Sequence, residues 1–292
     1  MEYDRRDFLR LAGLGGVVMT SSLAGCAGLT GSRDFMVVQL TDTHWGFSGA
    51  PNPDARGTLP KAIAAVNALE RQPDLVIFTG DLTHTTDDAA ERRRRLREFH
   101  EIASGLRVKN VRYMPGEHDA SLDRGEAYKE LYGAPYYSFD QGGVHFIAVD
   151  NCTDPGAECG PAQLEWLAND LKSGPNNRPI VVLAHRPLFD LAPSWDWATR
   201  DGAKVMALLM PHPNVTVFYG HIHQEHHHST GHIAHHAANS LIFPLPVALS
   251  QPRRAPLAWD PAHPYRGLGF RAISARAGTG APSITEIPLV KA

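Results

Sequence analysis

The sequence predicts an α/β fold in which two packed mixed β-sheets are covered by helices on both outer sides. Apolar runs of strand length alternate with helical segments between residues 35 and 223. After about residue 230 the pattern changes to strand-like runs with no helices between them. The composition is globular, with 43% hydrophobic and 20% charged residues, and no linker or internal repeat interrupts it. We therefore expect one large domain.

The first 25 residues are predicted to be an export signal and not part of this domain. Arg5 and Arg6 precede an apolar segment of about 13 residues, too short to span a membrane as a mature helix. The paired arginines resemble a twin-arginine signal, and Leu23-Ala24-Gly25-Cys26 resembles a lipoprotein box, in which cleavage precedes a lipidated cysteine. A frayed amphipathic terminus would not explain this order. Residues 26–292 should thus form a single exported domain, anchored through lipidated Cys26 and facing the periplasm or the extracellular side.

The charge balance of the remaining chain excludes some partners. About 267 residues follow the cleavage site, and the formal net charge of the whole sequence is −3. This near-neutral balance gives no reason to expect nucleic acid or an acidic membrane surface, and nothing implies a protein partner. No further segment is apolar enough to cross a bilayer, so the expected membrane contact depends on Cys26 alone.

Cys152 and Cys159 remain once Cys26 is assigned to lipid. They lie in a loop that contains Pro and Gly, and an oxidising compartment would allow them to form a disulfide. The alternatives are two buried free thiols or a softer metal site, and other metal-binding side chains lie elsewhere in the chain.

A shared feature of the predicted strands indicates a site. Each is an apolar run that ends in a carboxylate or a histidine, and ligands bind beyond the carboxyl ends of strands in open α/β sheets. Side chains of both types are metal ligands. The runs are Phe35 to His44, Leu75 to Asp81, Val111 to Asp119, Ile180 to His185 and Val215 to His223.

Helices and further strands fill the intervals. Thr58 as N-cap and Pro60 in the first turn predict a helix to about Arg71, and Asp87-Asp88 predict one that Gly105 stops. Further helices are expected over 127–132, 161–172 and 202–210, and Gly142-Gly143 should join strands 136–139 and 144–149. The later strand-like runs are 231–237, 241–249, 268–275 and 283–289.

The run Arg92-Arg93-Arg94-Arg95 lies in the second of these helices. It invites interpretation as a phosphate-binding surface. Four consecutive helical residues point in all directions around the axis, however, so a solvated helix is the better prediction.

Taken together, the strand ends resemble the motif series of the calcineurin-like metallophosphoesterases. The series D-x-H, G-D, G-N-H-[DE], H and G-H-x-H occurs here in order over roughly residues 35 to 250, with a Glu in place of the Asn. The resemblance implies a four-layer α/β/β/α sandwich and metal-dependent phosphoester hydrolysis. The matching segments are Asp42-x-His44, Gly80-Asp81, Gly116-Glu117-His118-Asp119, His185 and Gly220-His221-x-His223.

The resemblance also implies roles for these residues. One ion would take Asp42, His44 and His223, and a second would take Glu117, His185 and His221, with Asp81 bridging the two. Carboxylates and imidazoles together suit Fe, Mn, Zn or Ni, in divalent or trivalent form. A hydroxide between the ions would attack phosphorus in line. His118 would stabilise the developing charge or protonate the leaving oxygen, and Asp119 would orient its imidazole.

Glu117 departs from the family pattern, which has Asn at this position. A carboxylate here would increase the number of negatively charged ligands from two to three and favour a harder ion such as Fe(III). The alternative is that Glu117 swings out and water takes its place.

Several other side chains have two interpretations. His84 occupies the position of a tyrosine ligand in purple acid phosphatases, and we expect it to line the cavity instead of binding metal. Arg186, Arg253 and Arg254 are candidates for a phosphate clamp or for ordinary salt bridges. The later histidines could form a third metal site or a rim that contacts substrate, and the His226 to His228 triplet is expected in an exposed turn. These histidines are His226, His227, His228, His232, His235 and His236.

The sequence therefore predicts an exported phosphoesterase with a dinuclear metal centre that hydrolyses a phosphomonoester or phosphodiester. Two alternatives stay open. One is a metal-dependent nuclease, which the lack of a broad basic surface disfavours. The other is a binding protein of the same fold with weak or no turnover, which the retained His118-Asp119 pair disfavours.

Overall fold

The computed structural model describes residues 35–175, 177–275 and 282–290. The predicted signal segment, its cleavage site and Cys26 lie outside the described residues. Within them, two mixed β-sheets are flanked by helices, as the sequence predicts. None of the helices in the described ranges is both long and apolar enough to span a membrane.

The first sheet has the strand order β11-β10-β1-β2-β3. β1, β2 and β3 are parallel, whereas β10 and β11 are antiparallel to their neighbours. The strands are β1 (Phe35–Leu40), β2 (Leu75–Thr79), β3 (Val111–Met114), β10 (Gly269–Ala275) and β11 (Ser283–Pro288).

The second sheet has the order β4-β5-β6-β7-β9-β8. β5, β6, β7 and β9 are parallel, and the outer strands β4 and β8 are antiparallel to their partners. The strands are β4 (Tyr137–Gln141), β5 (Val144–Ala148), β6 (Ile180–Leu183), β7 (Val215–Tyr219), β8 (His226–Thr230) and β9 (Ile233–Ala237).

Helices cover the outer faces of both sheets. The helices are α1 (Ala55–Asn67), α2 (Ala89–Ala103), α3 (Glu117–Ala120), α4 (Glu126–Tyr132), α5 (Gly160–Leu171) and α6 (Gly202–Leu209), with a 3₁₀ turn over Pro193–Trp195.

The side-chain alternation of the strands explains the four layers. In β1, Val37 belongs to a core cluster shared with strands of the second sheet, whereas its neighbour Val38 packs with residues of α1 and α2. In β5, Phe146 lies in that shared cluster, and Ile147 packs with residues of α5 and α6. Because successive side chains point to opposite faces, each sheet is buried on both sides.

Two predictions about the later chain are wrong. Residues 241–249 form no strand, since Pro244 and Pro246 supply no backbone donors for a sheet ladder. The His226 to His228 triplet forms β8 and not an exposed turn, with His227 opposite His236 of β9. The segment that begins at Leu241 instead lies against the loop after β1, where its amide donates to the Thr41 carbonyl at 3.2 Å.

The arginine run is not a uniformly solvated surface. Arg92 is only 6% exposed, and its guanidinium binds Asp123 at 3.0 Å. Arg95 is partly buried and donates from Nη1 to the carbonyl oxygens of His84 at 2.9 Å and Thr85 at 3.3 Å. Arg93 and Arg94 form surface ion pairs with glutamates. The run therefore anchors α2 to the loop that follows β2.

The predicted disulfide is absent, because Cys152 and Cys159 are both free thiols. The Cys152 side chain is buried and directed at Asn151, with Sγ 3.5 Å from Oδ1. Cys159 packs against the core beneath the second sheet, and its amide donates to Asp201 at 2.9 Å. Burial raises the pKa of both thiols well above the ordinary value, so both are held as neutral thiols.

Candidate metal centre

The loops that follow β1, β2, β3, β6 and β7 meet at the carboxyl ends of the parallel strands. They bring the predicted ligands into two groups, and within each group the donor atoms lie within 4.8 Å of one another. The side chains are buried, apart from a small exposed part of Glu117. The first group is Asp42, His44 and His223, and the second is Asp81, Glu117, His185 and His221.

Asp81 lies between the two groups. Its Oδ2 atom is 3.4 Å from Nε2 of His44 and also 3.4 Å from Nε2 of His185. Its other oxygen, Oδ1, accepts a hydrogen bond from the backbone amide of His118 at 2.9 Å. One carboxylate oxygen is thus placed between histidines of both groups, as the bridging role requires.

Hydrogen bonds fix which nitrogen of each imidazole faces the centre. Nδ1 of His185 donates to the Thr79 carbonyl at 2.7 Å, and Nδ1 of His223 donates to the Phe243 carbonyl at 2.8 Å. Both residues therefore present Nε2. His221 is reversed, because its Nε2 lies 2.9 Å from the Asp196 carbonyl and its Nδ1 faces Glu117 at 3.0 Å. Such outer hydrogen bonds are typical of histidine ligands.

The loops hold their ligands with an unusual backbone. Five of the ligands have positive φ angles: Asp42 (52°), His44 (44°), Asp81 (49°), His221 (66°) and His223 (53°). Residues other than Gly rarely adopt this region, and each costs about 1–3 kcal/mol. The concentration of strained residues at one place is typical of a functional site.

Two glycines of the motifs are required by close packing. A Cβ atom at Gly116 would lie 2.1 Å from Oδ1 of Asp81, and one at Gly220 would lie 2.1 Å from Oγ1 of Thr41. Any larger residue would therefore displace Asp81 or the Thr41 hydroxyl, which donates to Asp42 at 2.7 Å.

The donor set fits metal ions. Nε2 of His44 and Nε2 of His223 are 3.2 Å apart, and Nε2 of His185 is 3.0 Å from Oε2 of Glu117. Donors that share an ion at about 2.0–2.1 Å are separated by roughly 2.9–3.4 Å in octahedral or tetrahedral geometry. Nε2 of His185 is also buried without a hydrogen bond. A cation would satisfy this atom and hold the facing His44 and His223 nitrogens.

The pKa shifts of three of the ligands also favour cation binding. Burial and the neighbouring His118 lower the pKa of His44 well below its ordinary value. Burial opposes ionisation of Asp42, but the nearby His223 lowers its pKa overall. For Glu117 too, burial is outweighed, here by His221 and Arg186, so its pKa lies well below the ordinary value. Neutral imidazoles and ionised carboxylates are the forms that bind metals.

Glu117 points into the centre instead of swinging out. Both of its oxygens lie within 3.1 Å of Nδ1 of His221, and Oε2 is 3.7 Å from Nη2 of Arg186. Arg186 is buried, and its Nη1 binds Oδ1 of Asp196 at 2.7 Å. In this structure Arg186 forms salt bridges with protein carboxylates, which is the second of the two alternatives for it, although its side chain is buried and not at the surface.

His118 lies beside the predicted ligands, with Nε2 4.0 Å from Oδ2 of Asp81. The orienting contact comes from Thr85 and not from Asp119. Oγ1 of Thr85 is 2.6 Å from Nδ1 of His118, and the Thr85 amide donates to the same nitrogen at 3.3 Å. Because Nδ1 accepts from the amide, the ring proton of neutral His118 is on Nε2, which faces the centre.

Asp119 instead holds two loops together. Its carboxylate accepts from the amides of Leu82 (2.9 Å), Thr83 (2.7 Å) and Gly116 (3.0 Å). Burial and the charge of Asp81 raise the pKa of Asp119 to about 7, and the three amides oppose this rise. The predicted orienting role of Asp119 is therefore corrected to a structural one.

His84 lies beside His44 and His118, and the donor atoms of these three histidines are close enough together to form a further group of candidate metal ligands. Its Nδ1 is 3.2 Å from Nδ1 of His44, the nitrogen directed away from His223, and its ring stacks on His118 at a centroid distance of 4.9 Å. Burial and His118 lower the pKa of His84 to about 4, so its ring is neutral. His84 thus contacts the outer side of His44.

The later histidines lie away from both ligand groups, on β8, β9 and the turn between them. His227 and His236 form an exposed cross-strand pair with Nδ1 atoms 2.7 Å apart, and His228 stacks on Phe189. Of the remaining arginines, Arg254 reaches the rim, where Nη1 is 3.3 Å from Nε2 of His221 and Nη2 is 3.5 Å from Asp196.

Sequence patterns missed Thr85, Asp196 and Phe243. Thr85 contributes a hydroxyl, and Asp196 and Phe243 contribute backbone carbonyls to His221 and His223. Two of these contacts are made by backbone atoms, which any residue carries. No motif spacing could have identified them.

Comparisons with known proteins agree with this arrangement. A family model for the calcineurin-like phosphoesterases matches residues 35–225, which include every predicted metal ligand and His118. A 3′,5′-cyclic-nucleotide phosphodiesterase from Nostoc sp. is 26% identical over 65% of this chain and 71% of its own length. A cAMP/cGMP dual specificity phosphodiesterase from Mycobacterium tuberculosis is 28% identical over 65% of this chain, which spans only 62% of that protein.

Among solved structures, a dimetal phosphatase from Danio rerio has a similar fold. It superposes with a TM-score of 0.62 over 88% of this chain and 97% of its own, at 13% identity. This similarity supports the fold, and the geometry of the site stands on the residues described above.

Proposed function

Because the chain belongs to the calcineurin-like phosphoesterase family of metal-dependent phosphoester hydrolases, we propose that it hydrolyses a phosphomonoester or phosphodiester at a centre of two metal ions. The observation that carries the proposal is the position of Asp81, whose Oδ2 is 3.4 Å from histidine nitrogens of both ligand groups. A single mononuclear site would need no carboxylate at this position.

Asp42, His44 and His223 would hold one ion, and Glu117, His185 and His221 the other, with Asp81 shared. Ions bound here would polarise the phosphoryl oxygens and lower the pKa of a water molecule in the centre. Fe, Mn, Zn and Ni all accept this mixture of carboxylate and imidazole.

His118 would supply the proton for the leaving oxygen. Nε2 of His118 faces the centre, and Thr85 positions the ring through Nδ1. As imidazolium, the ring would give its Nε2 proton to the leaving oxygen while Nδ1–H donates to Oγ1 of Thr85. The site is more than a scaffold, since a binding protein without turnover has no need of a proton donor oriented in this way. This favours the enzyme over the inactive binding protein.

The test combines metal analysis with hydrolysis. Protein stripped by chelator and reloaded with Mn, Fe, Zn or Ni should bind two ions and hydrolyse an aryl phosphate monoester or diester. A cyclic nucleotide belongs in the same screen, because relatives are named for that activity. One ion or none, with no turnover on any ester, would select the binding protein instead.

We further propose that the enzyme works outside the cytoplasm, held by lipidated Cys26. Support comes from the sequence alone, in the order of Arg5-Arg6, the apolar segment and Leu23-Ala24-Gly25-Cys26. Cys26→Ser should release active protein from membranes, whereas Arg5→Lys with Arg6→Lys should block export. A Cys26→Ser protein that is processed and membrane-bound as before would reject the lipid anchor.

A further inference from the structure

Glu117 brings a carboxylate to a position where the related motif has a neutral amide. Asp42 and Asp81 complete the carboxylates of the two ligand groups. Three carboxylates in a buried centre carry one more negative charge than the family pattern. Such a charge is costly unless a cation is close to it.

A cation of the chain itself lies close to Glu117. Nη2 of Arg186 is 3.7 Å from Oε2 of Glu117, and the side chain of Arg186 is only 6% exposed. Arg186 directly follows the ligand His185, and its backbone is fixed by Asn151, whose Oδ1 accepts from the Arg186 amide at 3.3 Å. The guanidinium is therefore held against the second ligand group by the same strand end that supplies His185.

Asp196 positions the guanidinium from the opposite side. Nη1 of Arg186 binds both the Oδ1 atom and the carbonyl oxygen of Asp196, at 2.7 and 2.9 Å. That carbonyl oxygen also accepts a hydrogen bond from Nε2 of His221. Asp196 is half exposed, so its own charge is partly screened by solvent, whereas Glu117 is only 14% exposed. The main buried partner of the guanidinium is thus Glu117.

We infer that Arg186 is the internal counter-charge that allows Glu117 to serve as a ligand, and that the pair replaces the single neutral Asn of the family motif. This inference rests on the proposed metal centre. With Arg186 counted and the half-exposed, solvent-screened Asp196 left out, the buried centre carries two net negative charges, as it would with Asn. The preference for Fe(III) that Glu117 alone would give is therefore cancelled, and the centre suits two divalent ions.

The inference makes opposite predictions for single and double variants. Glu117→Asn keeps the cation and removes its partner, so affinity for the second divalent ion should fall by about 10–100-fold. The double variant Glu117→Asn/Arg186→Gln also lacks the unpaired cation. Its affinity for the second divalent ion should therefore return to within about threefold of the wild type. Arg186→Gln alone leaves three carboxylates, so metal-free protein should melt at a lower temperature and the loaded protein should shift its preference towards Fe(III).

The experiment is a double-mutant cycle on chelator-stripped full-length protein. Calorimetric titration with Zn²⁺ and Mn²⁺ measures the second affinity, and the melting temperature without metal measures the pairing in the absence of ions. Arg254→Gln in the Glu117→Asn background is the matched control, because Arg254 contacts Asp196 and His221. Arg186→Lys should keep most of the wild-type affinity, since it retains the charge.

Three results would overturn the inference. The double variant Glu117→Asn/Arg186→Gln could bind the second ion no more tightly than Glu117→Asn, or Arg254→Gln could restore the affinity of Glu117→Asn as well as Arg186→Gln does. The third such result is that the shifts in melting temperature of the metal-free single variants add up to the shift of the double variant. A wild-type protein that binds no second ion would reject the proposed dinuclear centre instead. In that case the metal-free melting cycle would still decide whether Glu117 and Arg186 are paired.

Discussion

The contact between Thr85 and His118 gives a prediction that separates proton donation from metal binding. Thr85→Val removes the hydroxyl 2.6 Å from Nδ1 of His118 and keeps the shape of the side chain. The backbone amide remains as a partner at 3.3 Å. The loss should equal about one hydrogen bond of 1–1.5 kcal/mol, which is roughly a 5- to 13-fold reduction of kcat.

His118→Ala sets the upper limit for this effect. Loss of a general acid lowers turnover by about 10²–10⁴-fold, so Thr85→Val should lie well above His118→Ala in activity. Both variants should retain two ions, because His118 belongs to neither of the two proposed ligand groups and Thr85 contacts it only at Nδ1. Both deficits should shrink on an aryl phosphate whose leaving group needs no proton.

The assay is kcat and KM for one alkyl and one activated aryl phosphate ester, with metal content measured on the same samples. Thr86→Val is the matched control, because its hydroxyl accepts from the Asp88 amide at 3.4 Å at the start of α2. Wild-type rates for Thr85→Val on the alkyl ester would refute the orienting role. Equal losses on both esters, or loss of metal, would show that Thr85 or His118 supports the ligands instead.

Three further predictions follow from the same structure. Asp81→Asn should release more metal than a variant that lacks any one of the other ligands, and it should reduce hydrolysis by orders of magnitude, because Oδ2 of Asp81 serves both ligand groups. Two retained ions with near-normal turnover would contradict the bridging role. Burial opposes protonation of His185, but the charges of Asp81 and Glu117 raise its pKa well above 6.5. This protonation therefore stabilises the metal-free fold below pH 6.5, and the stabilisation is lost as the pH rises through the higher folded value. Melting temperature of metal-free protein should therefore fall above pH 6.5, and bound metal should abolish the fall; identical pH profiles with and without metal would count against ligation by Nε2. Arg271 of β10 is fully buried and forms an ion pair with Glu286 of β11. Arg271→Met should lower the free energy of unfolding by about 3–5 kcal/mol because it leaves Glu286 unpaired, and Arg271→Met with Glu286→Leu should lose less, as measured by denaturant titration. Equal losses would show that the ion pair does not account for the lost stability.

The sequence predicted the parts of the centre that depend on residue type at a strand end. Asp42, His44 and Asp81 follow apolar runs that do form β1 and β2, and the parallel pairing of these strands brings their ends together. Side chains alternate between the two faces of any strand, and ligands generally bind beyond the carboxyl ends of parallel strands. Both rules hold for α/β proteins in general, so they can be used with the sequence alone.

Contacts made across the fold could not be predicted in this way. Arg95 lies in an arginine run that looks solvated, yet it binds the His84 and Thr85 carbonyls, because α2 packs beside that loop. Asp119 follows His118 in the chain, but α3 turns its carboxylate towards Leu82 and Thr83. In both cases the three-dimensional packing decides the partner, and neither the arginine run nor the order of residues in the chain shows it.

The strained ligands raise the question of what holds their loops in place before metal binds. The loop after β1 continues to pair with the loop after β2, since the Asp42 amide donates to Gly80 at 3.1 Å and the His44 amide to Asp81 at 2.9 Å. The amide of His221 binds both oxygens of Asp42, at 3.0 and 3.1 Å. These backbone contacts need no ion. The positive φ angles of the ligands are therefore held by backbone contacts between the loops, in addition to anything that a bound ion contributes.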